Sequence, residues 1–203
     1  MARMPDGFID LVVTSPPYDN LRKYNGYSFD FEAIAKELFR VVKVGGVVVW
    51  VVADATVNGS ETGTSFRQAL HFMSLGFRLH DTMVYHREKI PTENNRYQSH
   101  FEYMFVFSKE SPKTFNAIRV KSKLAGAKKS RHSDRNADGT VSMDRTTTHI
   151  ADTKVLGNVW SYNVGFMHTT KDDCFDHPAM FPEQLAKDHI LSWSNEGDLV
   201  YDC

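Results

Sequence analysis

Six consecutive residues, Val47-Val48-Val49-Trp50-Val51-Val52, limit the fold more than anything else in the chain. A strand turns successive side chains to opposite faces, so an unbroken apolar, β-branched run needs cover on both sides. Such strands belong to sheets packed between helices, and the flanking residues supply helices. Asp30 can cap a helix over 30–42, with Phe31, Ile34, Ala35, Leu38 and Phe39 on one face. Gly45-Gly46 is expected to end that unit, with the strand starting at Val47. A loop rich in Gly, Ser and Thr over 53–64 leads to a second helix over 65–75, closed by Gly76. An earlier apolar run over 8–13 reads as another buried strand. Strand, helix, strand, helix with short links predicts an α/β sheet with parallel central strands.

The pattern then changes. Residues 77–86 and 101–108 are strand-like, and the polar loop between them has no helical period. They are expected to pair antiparallel, because a parallel return needs a crossover. Residues 117–157 are polar and weakly patterned. Between 117 and 150, eight basic residues stand against Asp134, Asp138 and Asp144, an excess of five in a chain whose net charge is −1. The basic side chains are Arg119, Lys121, Lys123, Lys128, Lys129, Arg131, Arg135 and Arg145. A polyanion partner is therefore legible locally and not in the total charge. Order returns after Asn158-Val159-Trp160. Pro182 suits a first helical turn, Glu183 favours the helix amino end, and Glu183 with Lys187 makes an i,i+4 pair. That helix should end at Trp193 or Ser194, and Glu196-Gly197-Asp198 turns the chain into a strand over 199–202.

Bulk properties exclude several classes. With 203 residues, 41% hydrophobic and 24% charged, the chain suits one domain with a small insert. No apolar stretch reaches membrane-spanning length, and the amino end lacks the long apolar core of a secretory signal. Cys174 and Cys203 form no metal pair and no disulfide framework, so an intracellular, cytoplasmic setting is expected. The nine histidines have no zinc spacing, and no phosphate-binding Gly-x-x-x-x-Gly-Lys-Ser/Thr loop occurs.

The chemistry centres on Thr14-Ser15-Pro16-Pro17-Tyr18, where the first strand gives way to a loop. Open α/β sheets keep their ligands at such strand ends. Adjacent prolines fix φ, remove two backbone donors and hold the loop extended. The Ser15 hydroxyl and the Pro16 carbonyl can then accept hydrogen bonds beside an aromatic face. Two acceptors and a stacking plate match an exocyclic amino group on a flat base. The segment resembles the Asp/Asn/Ser-Pro-Pro-aromatic signature of the amino-methylating DNA methyltransferases of restriction–modification systems. That resemblance runs over nearly the whole chain. It implies a Rossmann-like S-adenosylmethionine-dependent sheet, incomplete here, encoded by a bacterium or phage.

The resemblance also implies roles. Ser15, Pro16, Pro17 and Tyr18 would hold a base extruded from double-stranded DNA, at cytosine N4 or adenine N6. Thr14, His177, Pro178, Phe181 and Asp202 would wall S-adenosylmethionine. Residues 1–116 would form the catalytic core, 117–157 the target-recognition insert, and 158–203 the return to the core. Lys121, Lys123, Lys128, Lys129, Arg131 and Arg135 of the insert would contact DNA. A cytosine carbon-5 mechanism would need a thiolate after a proline, which neither cysteine offers. No metal is expected. The permuted motif order calls for a Phe-x-Gly-x-Gly cofactor loop after 199–202, and the given residues stop before it. A piece of a longer enzyme, or half of a split one completed by a second chain, is therefore expected, with weak cofactor binding alone. The rival readings are a catalytically silent DNA-binding remnant and a methyltransferase for a protein glutamine amide.

Overall fold

The computed structural model describes residues 1–17, 29–87, 95–130, 133–142, 147–162 and 182–203. They divide into two units, Met1–Asn116 with Asn158–Cys203, and Ala117–Gly157. The first unit opens with β1 (Ile9–Thr14), α1 (Phe31–Val41) and β2 (Val42–Val52). A small hairpin follows, β3 (Thr56–Val57) with β4 (Ser60–Glu61), then α2 (Thr64–Ser74), β5 (Arg78–Arg87) and β6 (Phe101–Ser108). The second unit contributes β7 (Arg119–Lys121), β8 (Lys128–Ser130), β9 (Asp134–Arg135), β10 (Val141–Ser142), β11 (Thr147–His149) and β12 (Thr153–Val155). The first unit resumes with β13 (Val159–Tyr162), α3 (Glu183–Trp193) and β14 (Val200–Tyr201).

One six-stranded sheet runs β13-β5-β6-β2-β1-β14. β1 is parallel to both neighbours, β5 is parallel to β13, and β6 is antiparallel to β5 and β2. Every strand except β6 therefore ends on the same edge. The expected parallel core with an antiparallel pair is what forms.

Helices cover both faces. Asp30 Oδ1 accepts from the Ala33 N–H at 3.1 Å and starts α1, which buries Ala35, Leu38 and Val41. These residues meet Val48, Trp50 and Val52 of β2, Phe105 and Phe107 of β6, and Phe72 of α2 in one apolar cluster. Trp50 and Phe72 stand edge to face at 5.0 Å, and the Trp50 indole N–H donates to Gln68 Oε1 at 2.8 Å inside the core. On the opposite face α3 buries Leu185 and His189. The His189 ring lies 4.7 Å from that of Trp160, with Nε2 3.3 Å from the Met104 sulfur. Trp160 is thus a packing residue.

Gly45-Gly46 does not end the helix. α1 stops at Val41, Val42 is already extended with ψ 135°, and both glycines lie within β2. Opposite the two-residue step from Ile9 to Leu11, β2 advances five residues from Val42 to Val47. The excess is a bulge, pinned by Gly45 N–H to Lys109 O at 2.6 Å and Lys109 N–H to Gly46 O at 3.1 Å. Gly45 has φ +81°, and a Cβ on Gly46 would fall 2.8 Å from Val42 Cγ1, so glycine is required at both places for different reasons.

Two smaller corrections concern the carboxyl end. Among the described residues no ion pair joins Glu183 to Lys187; the neighbouring i,i+4 contact is Gln184 Nε2 to Asp188 Oδ1 at 2.7 Å. The final strand is shorter than 199–202, because Leu199 instead gives its carbonyl to the Asp10 and Leu11 N–H groups, each at 3.1 Å.

The second unit is a two-stranded ribbon. β7 pairs with β12, β8 with β11 and β9 with β10, all antiparallel and nested. Asp138 accepts from the Thr140 N–H at 2.9 Å in the turn between β9 and β10. No helix among the described residues is long and apolar enough to cross a membrane.

Candidate active site

The strand order places a switch point at the carboxyl edge of the sheet. From β1 the chain departs through α1 to β2 on one side, while β14 reaches the other side of β1 from α3. Connections that leave a strand in opposite directions open a crevice above the strand ends. β1 delivers Thr14, Ser15, Pro16 and Pro17 to that crevice, and β14 delivers Asp202 and Cys203.

Thr14 ties the two together. It is 1% exposed, and its hydroxyl donates to the Cys203 carbonyl at 3.4 Å while the Cys203 thiol approaches Thr14 Oγ1 at 3.7 Å. Pro16 is buried, and Ser15 and Pro17 are half-buried. The start of the loop is therefore seated while its serine reaches the surface. Asp202 is exposed, and no hydrogen bond or ion pair engages its side chain among the described residues. The crevice thus presents a hydroxyl, a carboxylate and a main-chain carbonyl. That acceptor-rich set fits a ligand carrying ammonium and hydroxyl groups beside a sulfonium, as S-adenosylmethionine does.

The neighbouring strand ends are tied by side-chain hydrogen bonds and an ion pair. Asp54, after β2, accepts from the Ser65 N–H at 2.9 Å, the Ser65 hydroxyl at 2.5 Å and the Thr62 hydroxyl at 3.3 Å. It thereby caps α2 from outside, since Gly63 at the cap position has no side chain to do so. At the ends of β5 and β13, the Tyr162 hydroxyl donates to Asp188 Oδ2 at 2.8 Å, and Arg87 pairs with Glu102 at 3.3 Å. Burial, reinforced by the Asp188 hydrogen bond, pushes the Tyr162 phenol well above its ordinary range. Burial does the same to Tyr85, whose hydroxyl has no partner among the described residues. Both therefore act as neutral packing groups.

Of the residues expected from sequence, Thr14, Ser15, Pro16, Pro17 and Asp202 meet at this edge. Tyr18, His177, Pro178, Phe181 and Arg131 lie outside the described residues. Lys121, Lys123, Lys128, Lys129 and Arg135 are all exposed on the ribbon. Sequence reasoning missed Cys203 as a neighbour of Thr14. No local signal could reveal it, because the contact depends on the parallel pairing of strands 189 residues apart.

The sheet has the α/β fold of DNA methyltransferases of known structure, with the Ser15-Pro16-Pro17 segment following its β1 strand. A family model described as DNA methylase, for the N6 and N4 enzymes, matches residues 9–203, and the chain belongs to that family. It is 54% identical over 201 residues to the orphan methyltransferase M.BamHII of Bacillus amyloliquefaciens, covering 97% of this chain and 76% of that protein. It is 28% identical over 209 residues to the type II methyltransferase M.BglII of Bacillus subtilis, covering 98% and 55%. The solved PvuII cytosine-N4-specific DNA methyltransferase superposes with a TM-score of 0.67 at 19% identity, covering 99% of this chain and 69% of that one.

Proposed function

We propose that the chain methylates the exocyclic amino group of a base flipped out of duplex DNA, at cytosine N4 or adenine N6, from S-adenosylmethionine. The observation that carries this reading is the Ser15-Pro16-Pro17 segment at the end of β1, tied through Thr14 and Cys203 to the end of β14 where Asp202 lies. When bound, the cofactor supplies an electrophilic methyl carbon on sulfur. Thr14 and Asp202 would hold it in the crevice. Ser15 Oγ and the Pro16 carbonyl would each accept one amino hydrogen of the base, turning the nitrogen lone pair towards the methyl carbon. Methyl transfer would form the nitrogen–carbon bond as the carbon–sulfur bond breaks, and the methylated nitrogen would shed one of its two protons through the Ser15 hydroxyl or the Pro16 carbonyl to water, so no covalent enzyme intermediate would be needed. In-line positioning supplies much of the rate, and hydrogen bonds that strengthen as positive charge grows on nitrogen supply more. Tyr18 would stack on the extruded base, a contact worth about 1–3 kcal/mol. The basic side chains of residues 117–157 would hold the phosphates.

The test is to incubate these residues, completed by the expected glycine-rich cofactor loop, with duplex DNA and S-adenosylmethionine, digest the DNA and weigh its nucleosides. N4-methyldeoxycytidine or N6-methyldeoxyadenosine is expected. A chain that binds both partners yet yields neither nucleoside contradicts the proposal and favours the silent remnant.

A further inference from the structure

The ribbon of residues 117–157 has two chemically different legs. The outgoing leg carries Arg119, Lys121, Lys123, Lys128, Lys129 and Arg135. The returning leg carries Ser142, Thr147, Thr148, His149 and Thr153, with Lys154 as its one described cation. The pairing register sets unlike groups side by side: Lys128 with His149, Lys129 with Thr148, and Lys121 with Thr153.

Neither face of the ribbon has a core. Lys128 and Lys129 are neighbours in a strand, so they point to opposite faces, and both are exposed. So are Thr147, Thr148 and His149 across from them. Ser122 is the one buried residue among those described in this unit. A two-stranded ribbon without a buried face is marginal by itself. Among the described residues, no ion pair engages Lys121, Lys123, Lys128, Lys129 or Arg135, whereas the other unit pairs its arginines repeatedly. Five unpaired cations and two open faces call for a surface that is anionic and walls the ribbon on both sides. A DNA groove is such a surface, and the major groove is wide enough for a two-stranded ribbon.

Resting on the DNA reading above, we infer that the legs divide the work: the outgoing leg follows the phosphate backbone, and Thr147 and His149, which share one face of the returning leg, read base edges. Lysine is a point charge suited to phosphate, and a phosphate contact carries no sequence information. Threonine offers a hydroxyl to either kind of base and a methyl to thymine, and imidazole donates or accepts, so these groups discriminate.

The experiment uses the full chain and a random-sequence duplex pool, sequencing the bound fraction, together with salt titrations on one duplex. Three variants are compared with the parent: Lys121→Gln/Lys128→Gln/Lys129→Gln, Thr147→Ala/His149→Ala, and Thr148→Ala as the opposite-face control, each checked for folding by circular dichroism. The lysine variant is expected to weaken binding to all sequences alike and to flatten the slope of log K against log salt by about 0.9 per lost phosphate contact. The Thr/His variant is expected to keep that slope and lose preference at one or more positions by about five-fold or more. Unchanged preference in the Thr/His variant, or changed preference in the lysine variant, overturns the division while leaving DNA binding intact. A parent chain that binds no duplex at low salt removes the DNA reading, and the inference falls with it.

Discussion

Acid should loosen this protein through one buried side chain. His189 is 0% exposed in α3, with Nε2 against the Met104 sulfur and Nδ1 lacking any hydrogen-bond partner among the described residues. Burial pushes its imidazole from the usual 6.5 down to about 3. Protonation therefore favours the unfolded chain. Stability from keeping His189 neutral is complete above pH 6.5 and drains away as pH falls from 6.5 towards 3. Each pH unit in that window costs about 1.4 kcal/mol, so moving from pH 7 to pH 5 should remove about 2 kcal/mol. At Asp10 burial raises the pKa, but the Lys43 hydrogen bond and charge hold it below the ordinary 3.8, so its own contribution fades only in stronger acid. Urea melts at pH 7 and pH 5 on the parent and His189→Leu read the difference. The parent should lose about 2 kcal/mol and the leucine variant much less, with unchanged m-values. Equal losses in both proteins would refute the reasoning.

Gln68→Met strands the buried Trp50 indole N–H and should cost about 1–3 kcal/mol, whereas Trp50→Phe added to it should cost less than the sum of the single changes; chemical denaturation of the three variants checks this. Asp54→Ala removes the outside cap of α2 and should cost about 1–2 kcal/mol, read as a lower urea midpoint. Gly46→Ala forces a Cβ to 2.8 Å from Val42 and 3.0 Å from the Asp10 carbonyl, so a loss of about 1–3 kcal/mol is expected in thermal melts.

How far the sequence could be read depended on the range of the forces involved. The apolar run ending at Val52, the Asp30 cap and the pair of strands before Ser108 were legible because burial and capping leave local signatures. Gly45-Gly46 misled because glycine ends helices and also permits bulges. What decides between them is Lys109, more than sixty residues away. The strands of the ribbon left no trace, since alternation is written only where one face is buried and here neither is. At the candidate site, the Ser15-Pro16-Pro17 segment was legible in the sequence, and so were Thr14 and Asp202 at the strand ends. Their meeting through Cys203 did not, because parallel pairing leaves no mark on either strand.

The account rests on a short turn presenting acceptors to a nucleobase amine, and substitution at that turn tests it most directly. The measurement is transfer of labelled methyl groups to duplex DNA by the enzyme completed with the cofactor loop, as parent, Ser15→Ala, Tyr18→Ala and the double variant, with cofactor binding followed in parallel by calorimetry. Transfer should fall about five- to thirty-fold in Ser15→Ala and further in the double variant, while cofactor affinity stays within two-fold, as about 1–2 kcal/mol per lost transition-state contact requires. Labelling that persists undiminished in both variants would contradict the account.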